Sequence, residues 1–468
     1  MQPLLAIACL TWKAAFRFRL FLVVAVLLLG SVVGLPLLIK DDGTARGFTQ
    51  ILLTYTLSTI TALLGISTLW LACGTLARDI EECTVQVVAV KPIARWQIWL
   101  GKWLGIMSLN AALLPLSGTS VYGLLQWRAT RLPADQQKIL REEVLVARGS
   151  VKPPSFDKDI QAETDRLLRE RLQKNPDTRA NIPEARKQIL EQVKAEYQVV
   201  PPGYLHVWQV DLSAAKKLAR GQPLYLRVKF NAADKSISGT FDGRWRVGVP
   251  RKTLLWQSEA MSLAPDTFHE FEIPPNFDEN GLLTVTFGNV NNAALLFDQE
   301  EGLEVLYRQG GFGLNFVRGL GIIFCWMALL ATLGLASASF LSFPVAAFAS
   351  LAILTLAVSS GRISEVVSAL MNYSSDANQG GHFVVYNVAI VVFRKVVMLI
   401  ALAFRGLLAL INLTKDFSPI DSLSTGRSVT WGELAQAFGQ IVLLLGGSIG
   451  LIGIITFSRR ELATAQAQ

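Results

Sequence analysis

The chain has 468 residues, of which 51% are hydrophobic and only 17% charged, and its mean hydropathy is +0.39. That balance lies outside the range of a soluble globular domain and reads as a membrane protein. The formal charge of +8 does not call for nucleic acid, because many Lys and Arg stand at the ends of apolar segments, where they meet lipid headgroups and set orientation.

Lys13, Arg17 and Arg19 precede the apolar run 20–39 in the manner of a signal peptide. The run is long enough to span a bilayer and no small-x-small cleavage site follows, so it is expected to remain as a span. Further stretches at about 51–76, 103–125, 317–338, 341–359 and 435–457 bring the expected spans to about six. Arg78, Lys91, Arg95 and Lys102 lie between the second and third, and Ser458-Arg459-Arg460 follows the last. These basic residues mark the cytoplasmic side of a cell inner membrane, with both termini cytoplasmic and residues about 126–315 outside.

The charged insert divides in two. Residues 127–203 read as a helical stalk, with apolar residues such as Leu167, Leu168, Leu172, Ile189, Leu190 and Val193 at helical spacing and breaks at Lys152-Pro153-Pro154 and 174–183. From 204 to 311 the period becomes two: Leu224, Leu226 and Val228, then Trp245 and Val247, then Leu283, Val285 and Phe287 alternate between turns such as Asn280-Gly281. The expectation is a jelly-roll-like β-sandwich. Tyr225, Trp245 and Trp256 are candidates for a sugar platform, though alternation fits Trp245 to a core equally well.

Residues 385–412 are apolar but carry Asn387, Arg394, Lys395, Arg405 and Asn412. At 100° per residue Asn387, Arg394, Arg405 and Asn412 fall within about 20° of one face. This is the pattern of an interfacial or re-entrant helix; the rival is a seventh span, which would put the basic C-terminal end outside.

The segment 77–102 carries an acidic and basic cluster (Arg78, Asp79, Glu81, Glu82), then Thr84, an apolar stretch, Pro92 followed by Arg95, and a closing Gly101-Lys102. Here the chain resembles the type-2 permeases of ABC transporters. The opening 1–19 looks like that family's interfacial helix, and the end Phe457-Ser458-Arg459-Arg460 like its closing pattern. The resemblance implies that 77–102 is the coupling helix, docking on a separate ATPase subunit that carries the ATP and Mg, and that the permease pairs with a second copy or a paralogue. Cys83 stands where the family commonly has Gly, which puts the local turn in doubt.

No G-x-x-x-x-G-K-[ST] phosphate loop occurs, so no ATPase activity and no cofactor is expected in this chain. His206, His269 and His382 are widely separated, and Cys9, Cys73, Cys83 and Cys325 lie in or beside apolar segments; neither set suggests a metal site. The clear spans hold almost no mid-membrane ionisable group, which disfavours ion-coupled transport. Gly101 and Gly105, and Gly446 and Gly450, have the spacing of close helix contacts. The sequence thus predicts an α-helical polytopic membrane protein with a first membrane half at 1–126 and a second at 312–468. The expected partners are an ABC ATPase, membrane lipid and an envelope protein at the external domain. The alternative is a membrane-anchored binding or scaffolding protein.

Overall fold

The computed structural model describes residues 2–17, 20–38, 44–82, 93–174, 182–234, 239–299, 301–358 and 417–460. They form two compact units, residues 1–145 with 312–468, and residues 146–311. The first unit begins with helices α1 (Gln2–Arg17), α2 (Leu20–Leu38), α3 (Ala45–Glu81), α4 (Arg95–Ala129) and the short α5 (Ala134–Ile139). The insert contributes α6 (Asp157–Lys174), α7 (Ile182–Gln198) and α8 (Lys216–Ala219). Unit 1 resumes with α9 (Phe312–Ala338), α10 (Phe343–Val358), α11 (Pro419–Ser424) and α12 (Trp431–Arg459).

Helices α3, α4, α9 and α12 are long and apolar enough to cross a membrane. The apolar stretches at 51–76 and 103–125 are only the centres of α3 and α4, which have 37 and 35 residues. At 1.5 Å per residue these helices reach about 55 and 52 Å, against a hydrocarbon core of about 30 Å. They outrun the apolar pattern because their polar ends find partners. Thr44 caps α3 by accepting from the Gly47 N–H at 3.1 Å, and Gln136 accepts the Ala45 N–H at 2.9 Å.

Close approach between helices is made by small residues. A Cβ on Gly334 would lie 2.7 Å from Ala72 Cβ, and one on Gly118 would lie 2.5 Å from Leu320 Cδ1, so α9 runs parallel to α3 and antiparallel to α4. Gly101 and Gly105 of α4 face Ile7 and Thr11 of α1, with gaps of 2.8 and 2.7 Å for the same test atom. The Trp12 indole donates to Ser108 Oγ at 2.6 Å. Helix α1 therefore lies lengthwise along the first turns of α4. Of the pair Gly446 and Gly450 on α12, Gly450 lies against the Trp99 ring and Thr332 while Gly446 approaches, outside its own helix, only Thr332, at 3.8 Å; Gly453, one turn on, lies against Ala336.

In unit 2, strand β1 (Val146–Val151) leads to the hairpin of α6 and α7, whose contact is Ile160, Ile189 and Val193. The spacing predicted about three helices from 133 to 200; residues 146–151 instead form a strand. Residues 127–145, read from the sequence as the base of the stalk, belong to unit 1. After β2 (Val199–Val200) come β3 (Leu205–Asp211), β4 (Leu224–Val228), β5 (Asn231–Ala232), β6 (Phe241–Val247), β7 (Trp256–Gln257) and β8 (Met261–Leu263). The last four are β9 (His269–Ile273), β10 (Leu282–Asn289), β11 (Leu295–Leu296) and β12 (Leu303–Gly311).

One antiparallel sheet has the order β1-β12-β4-β9, and a second contains β3-β10-β6-β7 with β8 also on β6. The long strands β3, β4, β6, β9, β10 and β12 alternate between the two sheets, so each connection crosses the core. That core holds Trp208, Leu226, Trp245, Val285, Phe287, Phe297 and Val305. Trp245 is fully buried, with its ring 4.6 Å from Phe287, while Tyr225 lies on the opposite face of its sheet, beneath Arg148. Tyr225, Trp245 and Trp256 thus form no common platform. On that outer face Arg227 pairs with Glu304 at 3.1 Å and Arg148 with Glu270.

Candidate functional site at the charged end of the bundle

Helices α3, α9 and α12 end, and α1, α4 and α10 begin, at one end of the helical bundle. Each such end leaves backbone N–H or C=O groups without an intrahelical partner. The charged residues of segment 77–102 supply several of those partners. Lys102, 6% exposed, donates from α4 to Thr75 O at 2.7 Å and to Asp79 Oδ2 at 2.5 Å, both on α3. The Glu81 carboxylate accepts the Phe343 N–H at 2.8 Å at the start of α10, where a negative charge also suits the helix dipole. The Arg78 guanidinium stands 4.7 Å over the Phe343 ring.

Arg95 closes the end of α12. Its Nη1 donates to the carbonyls of Phe457, Ser458 and Arg460 at 3.3, 2.7 and 2.8 Å. Arg460 in turn donates to Ser339 O at 3.2 Å, just past α9. Five long elements, α3, α4, α9, α10 and α12, are joined here by side chains that bridge one helix to another's backbone.

The sequence selected Arg78, Asp79, Glu81, Glu82, Arg95 and Lys102 as charges for a partner protein. The structure brings all but Glu82 into this internal network. Glu82 is exposed, as is Trp96 at 46%. Thr84 and Pro92 lie outside the described residues, and so do Asn387, Arg394, Lys395, Arg405 and Asn412 with the helix expected at 385–412.

Sequence reasoning missed Trp99, Trp103 and Asn315. Trp99 is 2% exposed and packs on Gly450, while the Trp103 indole donates to Thr332 Oγ1 at 2.9 Å. Their i,i+4 spacing, which places both on one face of α4 toward small residues of α12 and α9, was a readable signal. At the opposite end the buried Asn315 donates to Arg427 O at 2.7 Å and accepts from Val429 N–H at 2.6 Å, fixing the chain that enters α12. Thr430 and Glu433 then make reciprocal capping bonds at 3.1 and 2.9 Å.

A groove of about 660 Å³ runs between α4 and α9, beside Pro115, Gly118, Tyr122, Phe316 and Leu320. Its lining is apolar except for the Thr119 and Tyr122 hydroxyls. No group of His, Cys, Asp and Glu able to hold a metal occurs among the described residues.

The fold is that of a membrane protein with a separate β-rich domain. No family model, no curated protein and no solved structure matches the chain.

Proposed function

We propose that this chain is the membrane-spanning permease subunit of an ATP-driven ABC transporter, an exporter, with about six spans in a cell inner membrane. In this reading both termini and segment 77–102 are cytoplasmic, the jelly-roll-like insert is extracytoplasmic, and a separate ATPase supplies ATP hydrolysis with its Mg. Two permease copies, or this chain and a paralogue, complete the transporter.

The observation that carries the reading is the bridging network at the ends of α3, α4, α9, α10 and α12. A partner pressing on the connection between α3 and α4 moves Asp79, Glu81, Arg95 and Lys102, and each of these is bonded to another helix end. Force at one loop therefore reaches most of the bundle, as a change between inward-open and outward-open states requires. The exposed Glu82 and Trp96, which bridge no helix ends among the described residues, are the contact residues, and the bridging charges Asp79, Glu81, Arg95 and Lys102 transmit.

Purification of the tagged full chain from its native membrane, followed by mass spectrometry, tests this. A P-loop ATPase is expected in stoichiometric amount, and its retention should fall when Glu82→Lys and Trp96→Ala are combined. Absence of any ATPase favours the second reading, a membrane-anchored binding or scaffolding protein, for which the independent core of unit 2 speaks.

A further inference from the structure

One end of the β-sandwich is unlike the rest of its surface. The connections 212–223, 248–256 and 274–281 all lie there, as the pairing of Leu282 with Asp211 and of Leu224 with Ile273 requires. Strand β12 also leaves toward this end. Its last pair with β4 is Leu306 with Tyr225, and it continues to Gly311, which pairs with Val146 at the start of β1. Both covalent connections to unit 1 therefore emerge at the end that carries these three loops.

The loop 248–256 projects Leu254 and Leu255 into solvent, 83% and 59% exposed. Nothing in the loop is slack. Thr253 Oγ1 accepts the Val249 N–H at 2.7 Å and donates to Asn276 O at 3.1 Å, and the Asn276 amide donates to Leu254 O at 2.8 Å. Arg251 holds a left-handed φ of 65°, and Gly248 a φ of 134° that lets Leu254 O approach. A backbone fixed so firmly, with adjacent leucines turned outward, presents apolar side chains at little further ordering cost.

Cations share this end with the leucines. Arg251 and Lys252 adjoin them in the loop, and Lys216, Lys217 and Arg220 flank the exposed Leu218 on the neighbouring connection. The acids at this end are Asp211, Asp278 and Glu279. Asp211 is bound to the Ser213 N–H, and Asp278 to the N–H groups of Asn280 and Leu282 and, through Oδ2, to Lys252 at 3.5 Å, while Glu279 is exposed.

We propose that this end of the insert docks on an anionic phospholipid bilayer, with Leu254 and Leu255 entering the headgroup boundary and Arg251, Lys217 and Arg220 meeting lipid phosphates. Exposed leucines at an end that also carries exposed cations complement a surface that is anionic outside and apolar beneath. The chain's own spans keep such a surface present, since unit 2 continues into them from this same end. The proposal needs the chain to be a membrane protein; it does not need the ATPase reading.

The test uses the full chain in nanodiscs of phosphatidylcholine with phosphatidylglycerol, carrying L254C labelled with an environment-sensitive fluorophore on a background without the native cysteines. An equivalent label at L205C, on the far end of the sandwich, is the control. The 254 label is expected to shift to shorter wavelength and to be quenched by lipids doxyl-labelled near the headgroup, while the 205 label stays in water. Exchanging Arg251 and Lys217 for Glu, or omitting phosphatidylglycerol, should reduce the quenching. A 254 label that stays in water overturns the proposal. So does a shift without lipid quenching, because the occupant is then a protein or a second copy.

Discussion

The two units are held together by different chemistry. The core of unit 2 is built from large rings, with Trp245 fully buried between Trp208, Phe271, Phe287 and Phe297. In unit 1 close contacts are made by Gly101, Gly105, Gly118, Gly319, Gly334 and Gly453, supplemented by side chains bonded to helix-end backbone. Burying rings is favourable where the competitor is water. Against lipid that gain vanishes, so close backbone approach and hydrogen bonds take over. The difference makes the units separately breakable.

The largest effect is expected from Trp245→Ala, which opens the centre of the sandwich at a cost of about 3–5 kcal/mol. Limited proteolysis of the full chain should then cut within residues 146–311 while the helical signal of unit 1 persists; loss of both together would mean that the units are not independent. Next, Asp79→Ala leaves the Lys102 ammonium buried without its counter-charge and should cost about 3 kcal/mol. Lys102→Met should cost less, about 1 kcal/mol, because Asp79 is 42% exposed and can hydrate. Melting in detergent gives the order, and a larger effect for Lys102→Met would break the network account.

Gly334→Val should cost about 1–3 kcal/mol, because its neighbours include the Leu69 carbonyl at 3.0 Å, which cannot rotate away. The same melting experiment reads it, and an unchanged midpoint would show that α3 and α9 can separate freely. The smallest effect concerns acid. Hydrogen bonds from the backbone N–H of Leu282, then of Asn280, with Lys252 nearby, hold the Asp278 carboxyl below the usual carboxylate range. Its contribution to unit 2 is complete above about pH 4 and is lost as pH falls through the lowered value. Asp278→Asn should flatten that part of the acid limb of protease resistance and lower the resistance at neutral pH slightly, because the carboxylate's contribution is then absent throughout; an acid limb of unchanged steepness would contradict this.

Alternation made the sandwich legible: Leu224, Leu226, Val228, Trp245, Val247, Leu283, Val285 and Phe287 occupy the core that their spacing implies. Strand β1 was not legible, because Gly149 and the buried Arg148 break its pattern; only the Tyr307 ring against Gly149 and the ion pair with Glu270 explain them. Helices α3 and α4 were legible by their apolar centres and not by their ends, where charged residues are helical because distant backbone groups receive them. For the same reason the charges of 77–102 could be found in the sequence while their division between those that bridge helix ends and those that do not could not. Arg95 is spent on carbonyls more than 360 residues away in the chain, a pairing no local pattern contains.

The central claim is that a separate ATPase acts on this chain through the connection between α3 and α4. The most direct measurement places a photo-crosslinking amino acid at Trp96 in the full chain, in its native membrane, with the same group at Leu254 as the control. The account predicts an adduct from position 96 containing a P-loop ATPase, diminished by Glu82→Lys, and none from position 254. An ATPase adduct from 254, or its absence from 96 when crosslinking to other proteins proceeds, would contradict it.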